Sequence, residues 1–280
     1  MKKILKIILK KFAKCFIAIL NTNKIGRYFN EYLSKYIFDQ KKVVKHNSVK
    51  LVFYSPNRIN RFRIETFSSK EPETLRWIEN FEENSVFWDI GANVGLYTCY
   101  AAKVKNTSVY AFEPSVFNLE ILMKNVFLNQ LYKKVTVVPL PLANKIEESE
   151  FNMSSTDHGG ASSTFGQDYK HDGSKFKKEF HYKMLGVSMN DCVNVLKMKQ
   201  PNYIKIDVDG IEHLILEGGN QVLKKTKSVL VEIDENFTLQ VNKTKQYLTD
   251  SGLKLIEKKH SDLIKKSKFK SVYNQIWEKF

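Results

Sequence analysis

From residue 86 onward, short β-rich runs alternate with helical patterns, and few chain layouts accommodate that rhythm. Runs rich in β-branched and aromatic residues at 86–90, 108–112, 135–139, 203–207 and 228–233 predict strands. The segments near 95–104, 115–129, 189–197, 211–225 and 237–250 carry helical spacing. Such alternation implies an α/β fold, a parallel sheet with helices on both faces, whose ligands bind beyond the carboxyl ends of the strands. The tail 254–280 returns to alternating apolar residues and predicts antiparallel strands that close the sheet. With 280 residues, 42% of them hydrophobic, the chain can bury one substantial core.

Three stretches fall outside the rhythm. The N-terminus, "MKKILKIILKKFAKCFIAIL", has lysines interrupting every apolar run, so it cannot offer the roughly 20 continuous apolar residues that span a bilayer. On a helix, Ile4, Leu5, Ile8, Leu9, Phe12, Cys15, Phe16 and Ile19 share one face and Lys3, Lys6, Lys10 and Lys14 the other. That pattern suits either a helix lying in an anionic membrane interface through residues 1–20 or one packed on the domain with its lysines in water. Residues 49–67 read as two short strands around a Ser-Pro-Asn turn, followed by a helix in "KEPETLRWIENF". Residues 144–187 are polar and rich in Ser, Gly and Asp, which predicts a long irregular binding loop or a disordered insert with strand-like ends. The expected organisation is a basic helical segment over 1–48 and one domain over 49–280.

Forty-five Lys and Arg against thirty Asp and Glu leave a net charge of +15, which attracts nucleic acid, an acidic membrane or an anionic glycan without choosing among them. Cys15, Cys99 and Cys192 are widely spaced and odd in number, so the sequence suggests neither a disulfide framework nor a zinc site, and a reducing, cytoplasmic setting fits.

The stretch "VFWDIGANVGLYT" at 86–98 turns from strand to helix through Gly91 and Gly95, where a missing Cβ lets backbone approach a ligand. The dinucleotide pattern G-x-G-x-x-G fails here, because Asn93 and Leu96 replace two of its glycines. Asp89 precedes the turn; a carboxylate there repels a pyrophosphate and suits a ligand that carries an ammonium and a sulfonium, as S-adenosylmethionine does. The next strand, "SVYAFEPS", ends in Glu113, twenty-two residues after Gly91, where a carboxylate can accept from both ribose hydroxyls.

"DIGANVGLYT", "VYAFEPS", "GGASS" and above all "YIKIDVDGIEHLILEGG" resemble the FkbM family of S-adenosylmethionine-dependent methyltransferases, from about residue 72 to 235. The resemblance implies a Rossmann-like, seven-stranded class I methyltransferase sheet and O-methylation, commonly of a sugar hydroxyl in a polyketide, glycolipid or surface polysaccharide. It also implies that Asp89, Gly91, Asn93 and Gly95 line the methionine end of the cofactor, that Glu113, beside Pro114, holds the ribose, and that Leu142 and Ala143 lie near the adenine. Family members more often show Glu where this chain has Asp209.

For catalysis, the stretch after the fourth strand offers Asp207, Asp209, Glu212 and His213 within seven residues. Three acids so close raise at least one pKa toward that of a useful base, or take a divalent cation through Asp207 and Asp209. Asp209 and Glu212 can equally cap the helix that follows. Lys205 reads as a structural partner of an acid beneath the site. His158 in "STDHGGASS" is a candidate base or substrate contact, or simply solvated, and Glu232 could reach the acceptor or cap the sheet.

These features favour an O-methyltransferase acting on a sugar or glycolipid acceptor, peripheral on the inner membrane face. A nucleic-acid methyltransferase would suit the charge, but the chain lacks the Asn/Asp-Pro-Pro-aromatic motif of amino-methylating enzymes and any basic-aromatic RNA-recognition strand. A membrane-peripheral protein that keeps the fold without turnover is the third reading.

Overall fold

The computed structural model of the chain describes residues 2–260, 263, 267 and 269–280, so Met1 and part of the 261–268 stretch of the tail lie outside the described residues. Helices α1 (Lys2–Leu20) and α2 (Lys24–Phe38) lead into a hairpin of β1 (Lys41–His46) and β2 (Val49–Tyr54), then three short helices, α3 (Arg58–Glu65), α4 (Phe67–Lys70) and α5 (Pro72–Glu79). The alternating core begins with β3 (Val86–Ile90), α6 (Leu96–Val104), β4 (Ser108–Phe112), α7 (Val116–Leu128) and β5 (Val135–Val138). An insert of β6 (Glu147–Met153), β7 (Ser163–Phe165) and β8 (Phe180–Gly186) comes next. The chain then runs through α8 (Met189–Asn194), β9 (Tyr203–Ile206), α9 (Glu212–Glu217), α10 (Asn220–Leu223), β10 (Ser228–Asp234), α11 (Thr238–Asp250), β11 (Lys254–Lys259) and β12 (Val272–Glu278).

The main sheet has seven strands in the order β11-β12-β10-β9-β3-β4-β5. Strands β10, β9, β3, β4 and β5 are parallel, whereas β12 runs antiparallel to both β10 and β11. This is the Rossmann-like α/β sheet expected, with the tail closing it. Central strands are apolar on both sides because both faces are covered. On β3, Trp88 and Ile90 enter a core with Ile204, Ile206 and Leu216, while Phe87 points the other way onto Trp77, Tyr100 and Phe53. The strand order reverses between β3 and β9, and an open α/β sheet binds ligands where that happens.

Three expectations change. Residues 58–65 form a helix rather than a second strand, because Asn57 sits in extended backbone and its side chain accepts from the Asn60 amide at 2.9 Å, starting α3. The partner of β2 is instead β1, in register from Lys41↔Tyr54 to His46↔Val49, so the hairpin straddles residue 49. The insert is not irregular throughout: β7, β6 and β8 form an antiparallel sheet, in which Phe151 and Phe165 reach the core. The apolar face of α1 does not pack on the domain, since Ile4, Leu5, Ile8, Leu9, Phe12, Phe16 and Ile19 are all exposed. Among the described residues no helix is long and apolar enough to cross a membrane. Cys15 is exposed and Cys99 and Cys192 are buried, all three as free thiols.

Candidate functional site

Two clefts open at the switch point and share Gly91, Asn93 and Asp207. The first, about 540 Å³ with its mouth, lies beyond β3 and β4 under the insert. Its wall is apolar at Leu142, Phe165, Ile211 and Ile215 and acidic at Glu113, Asp207 and Asp209. The second, about 480 Å³, lies beyond β3 and β9 on the side of α3 and α4, and is edged by Arg63, Lys70, Glu71, Tyr97, Lys205 and Asp207.

The shared turn is held by its own backbone. The amides of Gly91 and Ala92 both donate to Phe112 O at 3.0 Å, and the amide of Asn93 donates to Glu113 Oε2 at 2.8 Å. Glu113 Oε1 accepts from the Ser115 amide at 2.8 Å. Burial still raises the Glu113 carboxyl to about 7, against the pull of those two amides.

The glycines of the turn are also required by the packing around them. Gly91 has φ +82°, and a Cβ there would stand 1.9 Å from the Asp207 carbonyl oxygen. At Gly95, φ +78°, it would strike Leu122 Cδ1 at 2.2 Å. Both absences make room for neighbouring protein atoms; Gly91 also lines both clefts, whereas Gly95 lines neither. Asp89 likewise sits beneath the turn, buried, with Thr98 Oγ1 donating to its Oδ2 at 2.5 Å. Its Oδ1 is a buried acceptor with no hydrogen-bond partner. Burial raises its pKa while Lys205, opposite it on β9, works to lower it.

Asp207 stands at the junction. Lys205 Nζ, fully buried on β9, donates to Asp207 Oδ2 at 2.7 Å. Burial works against the Asp207 charge, but Lys205 and then Lys70 hold the carboxyl below its ordinary range. Glu71, also opposed by burial, is held low by Lys70 and Lys205. The Lys70–Glu71 pair is itself in contact, and Glu71 Oε2 has no hydrogen-bond partner. Lys205 lies 5.4 Å from the Tyr97 ring centre. On β10, Glu232 is raised well above the carboxylate range by burial and then by Asp207 and Glu71.

The other catalytic candidates do different work. Asp209, at φ +64°, accepts from the Ser162 amide at 2.7 Å and so ties the insert to β9's loop, although it lines the first cleft. Glu212 accepts from the amides of Val208 and Gly210 at 3.1–3.2 Å and from the Gln240 side chain, so it fixes that loop from beneath. Burial lifts it to about 8. His158 lines neither cleft, because its ring is turned onto Glu120 at 3.2 Å and edge-on to Phe38. Pro114 and Leu142 line the first cleft, whereas Ala143 borders a neighbouring hollow. Asp207 and Asp209 are engaged by Lys205 and Ser162, and among the described residues no three His, Cys, Asp or Glu gather to hold a metal.

Residues 154–162 form a strap across the first cleft. Asn57 and Asn60 each donate to His158 O at 2.8 Å, Arg63 Nε donates to Gly159 O at 3.0 Å, and Asn93 donates to Gly160 O at 2.8 Å. Asn118 accepts from the Gly159 amide at 2.9 Å. The sequence reading missed Arg63, Lys70, Glu71, Tyr97 and Asn118. Pro72 at the first position of α5 marks where a helix starts, which would have placed Lys70 and Glu71 just ahead of it but not at a cleft.

The sequence model of the Methyltransferase FkbM domain matches residues 89–255. The hexuronic acid methyltransferase AglP of Haloferax volcanii is 27% identical over 172 residues, which covers 61% of this chain and 65%, just under two thirds, of that relative. Among solved structures, the methyltransferase FkbM from Methylobacillus flagellatus KT gives a TM-score of 0.49 at 13% identity over 78% of this chain and 52% of the other. TYW2 of M. jannaschii, in complex with AdoMet, gives 0.46 at 15% identity over 86% and 88%.

Proposed function

The chain belongs to the Methyltransferase FkbM domain family, and from that premise we propose that it is an S-adenosylmethionine-dependent methyltransferase acting on a sugar hydroxyl of a glycan, glycolipid or surface polysaccharide. The observation that carries this reading is the meeting of two dissimilar clefts at Gly91, Asn93 and Asp207. A sugar acceptor is further supported by the relative named as a hexuronic acid methyltransferase.

The first cleft suits the donor. Its apolar side between Leu142, Phe165 and Ile211 can take a flat base, Glu113 can accept from a ribose diol, and Asp209 can bring negative charge to the cationic end. Bound there, S-adenosylmethionine supplies a methyl group already activated by a sulfonium. The residues of this chain then have to align an oxygen and keep out water. Asp207 reaches both clefts, and Lys205 keeps it ionised, so it can accept a hydrogen bond from the acceptor hydroxyl and take its proton as the new bond forms. Lys205, Asp209 and Glu212 act as positioning residues for that carboxylate and its loop. Arg63 and Lys70 add positive charge to the acceptor wall. The strap covers the donor side, which limits solvent entry.

Calorimetric titration with S-adenosylhomocysteine, beside a Glu113→Gln variant, tests the donor half. Saturable one-to-one binding that the variant weakens supports it, and a folded protein that binds nothing removes it. Radiolabelled methyl transfer to uronic-acid-containing and neutral glycans tests the acceptor half, and transfer to RNA alone would overturn it.

A further inference from the structure

Over residues 2–38 there are nine basic residues against one acid, Glu31. Among the described residues, both helices of this segment keep an apolar face exposed. On α1 the face runs from Ile4 to Ile19 with Phe12 67% exposed; on α2 it comprises Ile25, at 82% exposure, Phe29, Tyr32 and Tyr36. The two helices are fastened to each other at a tight corner. Asn23 accepts from the Gly26 amide at 2.8 Å, and a Cβ on Gly26 would lie 1.9 Å from the Leu20 carbonyl oxygen. Soluble chains rarely leave apolar surface of this extent in water.

We propose that α1 and α2 together form an in-plane anchor for an anionic bilayer. The apolar faces enter the acyl boundary, the α2 tyrosines sit at headgroup level, and Lys6, Lys10 and Lys14 on the opposite side of α1 pair with lipid phosphates. Neither helix can span, so the anchor lies in the surface. The charge selects this occupant over a second copy of the chain, because α1 contains no acid and two such helices repel. It also selects lipid over nucleic acid, which would leave the apolar faces in water.

The anchor ends against the strap, since Phe38 meets the His158 ring edge-on at 5.1 Å between centres. The 15 residues of α2 measure about 22 Å at 1.5 Å per residue. The strap therefore stays within about one helix length of the lipid surface. If the proposed function holds, that distance favours acceptors carried on lipid.

The test is co-sedimentation of the full chain with phosphatidylglycerol–phosphatidylcholine vesicles and with pure phosphatidylcholine vesicles. Binding is expected to the mixed vesicles only. It should be lost in the double variant Phe12→Asp, Phe16→Asp, and weakened roughly tenfold or more in the triple variant Lys6→Glu, Lys10→Glu, Lys14→Glu. All five positions are exposed, so unchanged S-adenosylhomocysteine affinity or thermal unfolding verifies that the variants are folded. Lack of binding by the unaltered chain, equal binding to pure phosphatidylcholine, or a dimer that the Phe12/Phe16 variant dissociates would each overturn the proposal. Failure to bind S-adenosylhomocysteine touches only the proposed function and leaves the vesicle result standing.

Discussion

The two clefts share one turn and differ in almost everything else. The first is built by the ends of the sheet and the insert, with an apolar slot and two carboxylates, Glu113 and Asp209, held by backbone amides. The second is a mosaic of opposite charges, and one side of it, Arg63, Thr66, Phe67, Lys70 and Glu71, comes from α3, α4 and their ends, ahead of the family-matched region 89–255. A donor common to a family can be served by a wall the family shares, whereas an acceptor particular to one chain is met by what that chain adds. On the proposed function, the difference makes residues 58–71 the place to look for acceptor specificity.

The largest expected effect tests whether the clefts stand or fall together. Gly91→Val drives a β-branched side chain into the Asp207 carbonyl at a left-handed position, so a loss of roughly 3 kcal/mol or more of stability is expected, read as a lowered unfolding midpoint with both clefts disabled. An unchanged midpoint would break the common hinge. Asp207→Asn should separate the clefts, cutting turnover by about 10²-fold or more while S-adenosylhomocysteine affinity changes little. Equal losses in both measurements would return Asp207 to the donor side. Glu113→Gln should do the reverse, weakening S-adenosylhomocysteine by about tenfold, the worth of one hydrogen bond to a charged group, with acceptor KM unmoved.

A pH series sharpens the contrast in stability. Folded Glu113 titrates near 7 and Glu212 near 8, while unfolded carboxylates titrate at about 4.3. Between those values the folded chain holds protons that the unfolded chain has released, so these two groups make stability fall as pH rises from about 5 to about 8. The unfolding midpoint should drop by a few degrees over that range, and Glu212→Gln should flatten its upper part. The smallest effect is expected at His158→Ala, with turnover within about twofold, since the ring lines neither cleft. A collapse of turnover would place the strap's side chains in the chemistry and erase the distinction.

The parts legible in the sequence are those where one physical pattern decides. Strands 86–90 and 108–112 are covered on both faces and read as apolar runs broken only by Asp89 and by Ser108 at one end, and their bounds in the structure coincide with that reading. The segment "NRINRFRIE" spaces its apolar residues in a way that suits strand and helix alike, and the Asn57 cap settled it. In the insert, the strand-like ends read from the sequence become β6 and β8, but their pairing to each other, Glu148–Leu185 and Glu150–Lys183 among the pairs, and to β7 joins residues that no local run links. The second cleft was not visible at all. It joins Lys70 and Glu71 to Lys205 and Asp207 across more than 130 residues, and no local spacing encodes that meeting. The glycines are plain in the sequence, but that Asp207 and Leu122 would meet a Cβ there is a tertiary fact no local spacing shows.

The strap's fastening has one more consequence. Asn57, Asn60, Arg63, Asn93, Asn118 and Asp209 grip only carbonyls and amides of residues 158–162. A clasp that reads main chain alone is indifferent to the letters it holds. Apart from Gly159, Gly160, Ser162 at φ +63°, and the Ser154 and Ser155 hydroxyls that bond within the strap, its side chains can change without loosening the clasp, so the cover can vary while the architecture stands still.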